Sequence, residues 1–263
     1  MDMGILRTAL VLCLAAGAAP VWAQAAQQEQ KAPIPPEAWQ LVLRANGARS
    51  EQGVGTLWWD PALAKAALAH CQRMVQEGEI SHRYGGEANV GERAAQAGAR
   101  FSLIEENIAI GATPKTIHAE WMNSPEHKDN LLNPDVDRVG IAVVASRGVL
   151  YAVADYARAV PVVTQAQAEA KIAGLMRASG IDIVADPTAA REACVQEKGM
   201  PDSPSASQAR FVMRWQDASL AQLPKSLTDR LASGEFRHAA VGNCPAKNVE
   251  GAFTLYRMAV LLY

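Results

Sequence analysis

Three times between residues 60 and 125 a helix-capping side chain is followed directly by proline: Asp60-Pro61, Thr113-Pro114 and Ser124-Pro125. An N-cap oxygen satisfies free N–H groups of a first helical turn. Proline is tolerated just after it, because its missing N–H would be unpaired there anyway. Each pair therefore predicts a helix start, the first running to about Glu77 before Gly78, the others to about Asn123 and Leu131. Pro35-Pro36 opens an earlier helix over 37–50, with Trp39, Leu41, Val42, Leu43 and Ala45 as its apolar positions, and a short helix is expected at 91–97. Two β-rich runs follow, 138–146 (RVGIAVVAS) and 149–157 (VLYAVADYA), with a hairpin signal at Arg147-Gly148 between them. Helices first and an antiparallel pair after them predict an α+β layered domain over 37–160.

Pro161 begins a change of character. Residues 165–179 read as an Ala-rich helix ended by Gly180, and 201–207 (PDSPSAS) as a loop. Strands are expected at 210–216, 236–241 and 252–262, with a helix between Pro224 and Ala232. This predicts a second, small α+β domain over 165–263.

At the other end, Arg7 precedes an apolar run, 8–21, and small residues follow around Ala23. The pattern fits a secretory signal, residues 1–23, cleaved after Ala23 or Ala25. The run is short of the roughly 20 residues that a membrane-spanning helix needs, and Pro20 interrupts its end. Residues 24–36 then read as a flexible linker without a lipobox cysteine. The expected mature chain is secreted or periplasmic, with no transmembrane span. Cys13 leaves with the signal. Cys71, inside a helical stretch, is expected as a buried free thiol. Cys194 and Cys244 can form a disulfide in an oxidising compartment.

The 263 residues carry 25 Lys+Arg against 27 Asp+Glu, a net charge of −2. That balance offers no electrostatic footprint for a phosphate backbone, so no nucleic-acid partner is expected. Phosphate-loop, dinucleotide, nucleophile-elbow and H-E-x-x-H motifs are absent. His118-Ala119-Glu120 looks like the H-x-E of a zinc deaminase, but no P-C-x-x-C follows. What remains is His82, then Glu105-Glu106-Asn107 ahead of Ile108-Ala109-Ile110, then His127 near the third position of its helix. The positive end of the helix dipole disfavours imidazolium there, and a neutral imidazole is what a divalent metal or a proton acceptor needs. Spacing alone also fits three solvated surface residues.

Taken in order, Trp59-Asp60-Pro61-Ala62-Leu63 with Ala67, Ser81-His82, Glu106-Asn107-Ile108-Ala109, Trp121-Met122-Asn123-Ser124-Pro125-Glu126-His127 and Arg138-Val139-Gly140-Ile141-Ala142 resemble the bacterial branch of the CAP superfamily. The resemblance covers roughly Trp39 to Tyr156 and implies an α-β-α sandwich with a cleft of two His and two Glu able to hold a divalent cation, zinc or magnesium. Carried over by position, His82 is the first His, Glu106 the first Glu and His127 the second His. Ser124 stands where eukaryotic members have the second Glu, so Glu126 and Glu120 are the nearest substitutes as metal ligands. The resemblance does not extend to residues 165–263.

With the export signal and no placed nucleophile–base–orienter trio, the leading expectation is a secreted, monomeric, non-enzymatic binding protein of the cell envelope or exterior, with a lipid, protein or envelope ligand. The alternative is a metal-assisted hydrolase, peptidase first and glycan hydrolase second, with Glu106, His82 and His127 as its catalytic residues, or with Ser81 or Ser124 as nucleophile. A third reading assigns recognition to 165–263 and leaves the CAP domain as carrier. Trp58 and Trp59 are expected in the core, Glu105 in solvent, and His70, His118 and His238 as ordinary helix or strand residues. Tyr84 is a candidate cleft residue, and Asn130 and Arg138 are expected to fix the chain around the cleft helix.

Overall fold

The computed structural model describes residues 33–246 and 254–263; the expected signal and most of the expected linker lie outside them. Helix α1 (Pro36–Glu51) buries Ala38, Leu41, Val42, Ala45, Ala48 and Arg49, a stripe at helical spacing. It leaves Trp39 and Leu43 exposed. The two-residue strand β1 (Trp58–Trp59) leads into α2 (Pro61–Glu77), whose N-cap Asp60 accepts from the N–H groups of Ala62 and Leu63 at 2.8 and 3.1 Å. Helix α3 (Val90–Ala97) starts at a capping box in which Asn89 and Glu92 satisfy each other's backbone N–H. Strand β2 (Phe101–Gly111), α4 (Pro114–Asn123), α5 (Pro125–Leu132), β3 (Arg138–Ser146) and β4 (Val149–Ala159) complete the first layer set. The β3–β4 turn holds Arg147 at φ 51° and Gly148 at φ 79°, the left-handed pair that a two-residue hairpin requires.

These strands form one sheet in the order β1-β3-β4-β2, with β1 parallel to β3 and the other pairings antiparallel. One face packs on α2 through Ala67, Cys71 and Met74 against Ile108, Ala142 and Val153. Gly140 is where that helix comes closest: a Cβ there would lie 2.0 Å from the backbone N of Ala64. The opposite face is covered by α1, α4 and α5. The result is the expected α-β-α sandwich.

The tryptophans depart from expectation. Trp58 is 65% exposed and Trp59 half-buried, while Leu57 fills the core position. A two-residue edge strand has one covered flank, and its apolar residues are not all drawn inward.

After Val160 the chain builds a second sheet from β5 (Asp182–Ile183), β6 (Phe211–Asp217), β7 (His238–Cys244) and β8 (Tyr256–Leu262), with α6 (Gln165–Ala178), α7 (Thr188–Val195) and α8 (Lys225–Leu231). The short strand β5 and helix α7 lie outside the expected elements, because the stretch between Gly180 and Pro201 has no clear periodicity. The sheet order is β5-β7-β8-β6, with β5 parallel to β7 and the rest antiparallel. This repeats the first sheet in order and direction. Helix α7 presses on Gly242, where a Cβ would meet the Ala190 backbone at 2.3 Å, just as α2 presses on Gly140. On the other face, α6 and α8 contribute Ile172, Met176, Leu227 and Leu231 to a core with Val241 and Val260. The small α+β C-terminal domain is thus a second α-β-α layering with the same topology. The expected disulfide is present: Cys194 on α7 bonds Cys244 on β7, with the Cα atoms 5.8 Å apart.

Candidate functional site

Strand β2 lies at the sheet edge, and its pleat points successive side chains alternately to the two helical layers. Glu106 points to the α2–α3 side. Its Oε1 lies 2.9 Å from Nδ1 of His82, in the loop after α2, and its Oε2 accepts from Arg93 on α3. Directly across the sheet from Glu106 is Asp155, itself opposite Gly140. Asp155 is fully buried, and neither of its oxygens meets a donor. Burial, and then the adjacent Glu106 charge, hold its carboxyl well above the usual carboxylate range.

The loop carrying His82 is pinned by a second pair. His70 on α2 has both ring nitrogens facing oxygen acceptors, Glu87 Oε1 at 2.7 Å and the Ser81 carbonyl at 2.9 Å. Glu87 is held below its ordinary value: burial acts against this, but the His70 hydrogen bond and the Tyr84 N–H outweigh it. Tyr84 folds back onto α2, its hydroxyl donating to the Glu79 carbonyl and its ring 5.8 Å from that of His70.

Asn107 points to the other layer and ties β2 to α5. Its amide donates to the His127 carbonyl at 2.8 Å, while Asn130 donates to Asn107 Oδ1 at 3.0 Å and to the Glu106 carbonyl at 3.2 Å. These bonds place α5, and His127 with it, against the open edge of β2. Arg49 holds the far end of α5: fully buried, it donates to the carbonyls of Gly55, Leu131, Asn133 and Val136. Asn130 thus has the expected role, but Arg138 does not. It bonds its neighbour Asp137 at the start of β3, and Arg49 does the anchoring instead.

The two histidines differ. His82 is raised above its ordinary value, first by the hydrogen bond to Glu106. His127 is lowered, first by burial and then by the charge of His82, and its Nδ1 is buried without a partner. The lowered direction matches the sequence expectation, but the cause is burial rather than the helix dipole. Glu126 and Glu120 stay exposed and reach His127 only through their charge, Glu126 acting on His82 as well. Ser124 occupies the N-cap of α5 without a side-chain cap bond. Glu105 is not in solvent: it is half-buried, bonded by Asn133 at 2.8 Å, and raised by burial.

The donors can be tested against the divalent cation that the resemblance implies. Both Glu106 oxygens are engaged, one by imidazole and one by guanidinium. Among the described residues no three or more His, Cys, Asp or Glu side chains are gathered as a metal would need. This set, as it stands, does not fit a metal held through Glu106.

Sequence reasoning missed His70, Arg93, Asp155 and Arg49. Two carried a readable signal. His70 lies on the buried stripe of α2 with Leu63, Ala66, Ala67, Cys71 and Met74, and Asp155 is the one acid in β4, within the run buried from Tyr151 to Ala157.

The arrangement of edge strand, capped helices and RVGIA strand agrees with what the chain matches. Residues 43–156 match the sequence profile of the Cysteine-rich secretory protein family, CAP. Residues 43–156 thus carry a CAP domain. YkwD of Bacillus subtilis is 31% identical over 134 residues, covering 50% of this chain and 52% of that protein. The membrane protein YlbC of the same organism is 30% identical over 108 residues, covering 40% and 30%. The chain thus spans about half the length of the first of these relatives and less of the second. Among solved structures, an outer surface protein from Borrelia burgdorferi is 22% identical with a TM-score of 0.45, covering 49% of this chain and 96% of that one. An extracellular SCP-domain protein from Bacillus anthracis is 25% identical with a TM-score of 0.44, covering 49% and 45%.

Among the described residues, the C-terminal sheet lacks the Glu106–Asp155 pair of the first. Aligned on Gly140 and Gly242, the place of Asp155 falls on Ala259 and that of Glu106 on Arg214. Arg214 spends its donors on the carbonyls of Ala193, in the last turn of α7, and Gly199, beyond its end.

Proposed function

We propose that this chain is an exported, monomeric CAP protein that binds a ligand of the cell envelope or exterior, a lipid or a protein, through the cleft between His82 and His127. The observation that carries this reading is the state of Glu106. Its oxygens are committed to His82 and Arg93, so it holds the cleft in one geometry. Two side chains that could act as nucleophiles are engaged elsewhere. Ser81 Oγ donates to the Arg83 carbonyl at 2.8 Å, and the Cys71 thiol is buried, pushed up to about 12 by desolvation and bonded to the Tyr151 carbonyl. Export rests on the N-terminal pattern. Among the described residues no helix is long and apolar enough to cross a membrane. The C-terminal sheet repeats the architecture without the acid, which favours the first sheet as the recognition element.

One observation supports the hydrolase reading. With Nδ1 on Glu106, His82 keeps Nε2 for a substrate or water, the orientation of a carboxylate-assisted general base. The deciding experiment pairs wild type with the double variant His82→Ala, His127→Ala. Each is mixed with phospholipid vesicles and with isolated envelope fragments, and retention is measured beside a peptidase assay. Retention lost in the variant, with no cleavage by wild type, is the expected result. Retention unchanged in the variant would sink the cleft as recognition site. Cleavage abolished by Glu106→Gln would establish the hydrolase.

A further inference from the structure

The cleft already contains a cation. Arg93 sits one residue beyond the Asn89–Glu92 capping box, so the turn that starts α3 also aims its guanidinium. Nη2 bonds Glu106 Oε2, while Nη1 donates to the carbonyls of Ala88 at 3.0 Å and His82 at 3.3 Å and lies 3.9 Å from Glu87. The side chains of Arg93 and Glu106 are 6% and 4% exposed, so water screens the pair little. A divalent ion at Glu106 would compete with this ion pair for the carboxylate, and it would be set beside a buried positive charge at low effective dielectric. The two carbonyl bonds of Nη1 orient the guanidinium, and its single Nη2 bond holds one oxygen of the carboxylate, Oε2. The second oxygen is thereby aimed at Nδ1 of His82, whose side chain is 57% exposed and whose Nε2 is the nitrogen left for a ligand.

We propose that Arg93 is the resident cation of the cleft: it takes the position a divalent metal would hold at Glu106 and makes Glu106 the positioning residue that presents Nε2 of His82. The cleft therefore receives its ligand at an imidazole nitrogen, by hydrogen bonding, with Glu106 acting only through His82.

Calorimetric titration of zinc alone into the purified chain tests this. Glu106→Gln should change zinc affinity by less than twofold, or leave both proteins without binding. Arg93→Met, which frees the carboxylate, should bind zinc at least tenfold more tightly than wild type, whereas Arg93→Lys, which keeps the charge, should show no gain. A tenfold or greater loss on Glu106→Gln in the otherwise unaltered chain overturns the proposal. That comparison stands even if Arg93→Met does not fold. Long-range proton–nitrogen correlation on wild type adds an independent readout: neutral His82 should carry its proton on Nδ1. Its proton on Nε2 would equally overturn the assignment.

Discussion

Asp155 lies directly across the sheet from Glu106, on the face covered by α2, and only Glu106 of the two is bonded by the Arg93 guanidinium. Two carboxyls side by side in a buried layer with one bonded cation cannot both be ionised cheaply. Asp155, the more deeply buried, is the one whose protonated form is favoured. Its raised value means that its contribution to stability is fully present below the unfolded value of about 3.9 and is lost as pH rises through the folded one. At neutral pH it is therefore a liability. Asp155→Asn should melt at a higher temperature than wild type at pH 7.5, and the gain should vanish as pH falls towards about 4. Thermal unfolding followed at both pH values checks this. A lower melting temperature at pH 7.5 would show that an ionised Asp155 is needed.

Gly140 and Gly242 lie under helices α2 and α7 in the same place of two sheets with the same strand order. A methyl group at either cannot be accommodated by rotating a side chain, because the atoms it meets are backbone. Each Gly→Ala variant should lose about 1–3 kcal/mol in urea unfolding. An unchanged midpoint at Gly242 would mean that α7 does not rest on β7 as described.

The Cys194–Cys244 bridge spans 50 residues and joins α7 to β7. Replacing both cysteines by serine should cost about 2–4 kcal/mol, mostly through the freed unfolded chain. Reductant added to wild type should lower its unfolding midpoint comparably and leave the double variant unmoved. Wild type insensitive to reductant would argue against the bridge.

Helix starts were the most legible part of the chain, because Asp60, Thr113 and Ser124 each stand before a proline and the physics of a first turn is local. The hairpin at Arg147-Gly148 was legible for the same reason. The exposure of Trp58 was not, since it depends on how far the sheet extends beyond β1. The site was half legible. His82, Glu106 and His127 were singled out by a resemblance, and the structure does bring His82 and Glu106 together. The groups that set their chemistry, Arg93 and Asp155, reach Glu106 only across tertiary contacts, 13 residues away in the case of Arg93. No spacing rule on one strand or helix announces such a pair. The identical order of the two sheets was hidden because β5 is two residues long and α7 has no periodic signal.

Everything proposed for the cleft depends on Glu106 being bound to His82 and standing apart from His127. Nuclear magnetic resonance titration of the histidines tests that most directly. His82 should titrate above the ordinary value of about 6.5, so its contribution to stability is present below that pH and fades as pH rises through its folded value. His127 should titrate below about 6.5, with a contribution present above it and lost as pH falls through the folded value. Glu106→Gln should return His82 to about 6.5 and leave His127 below it. Both histidines titrating together at about 6.5, unmoved by Glu106→Gln, would contradict the account.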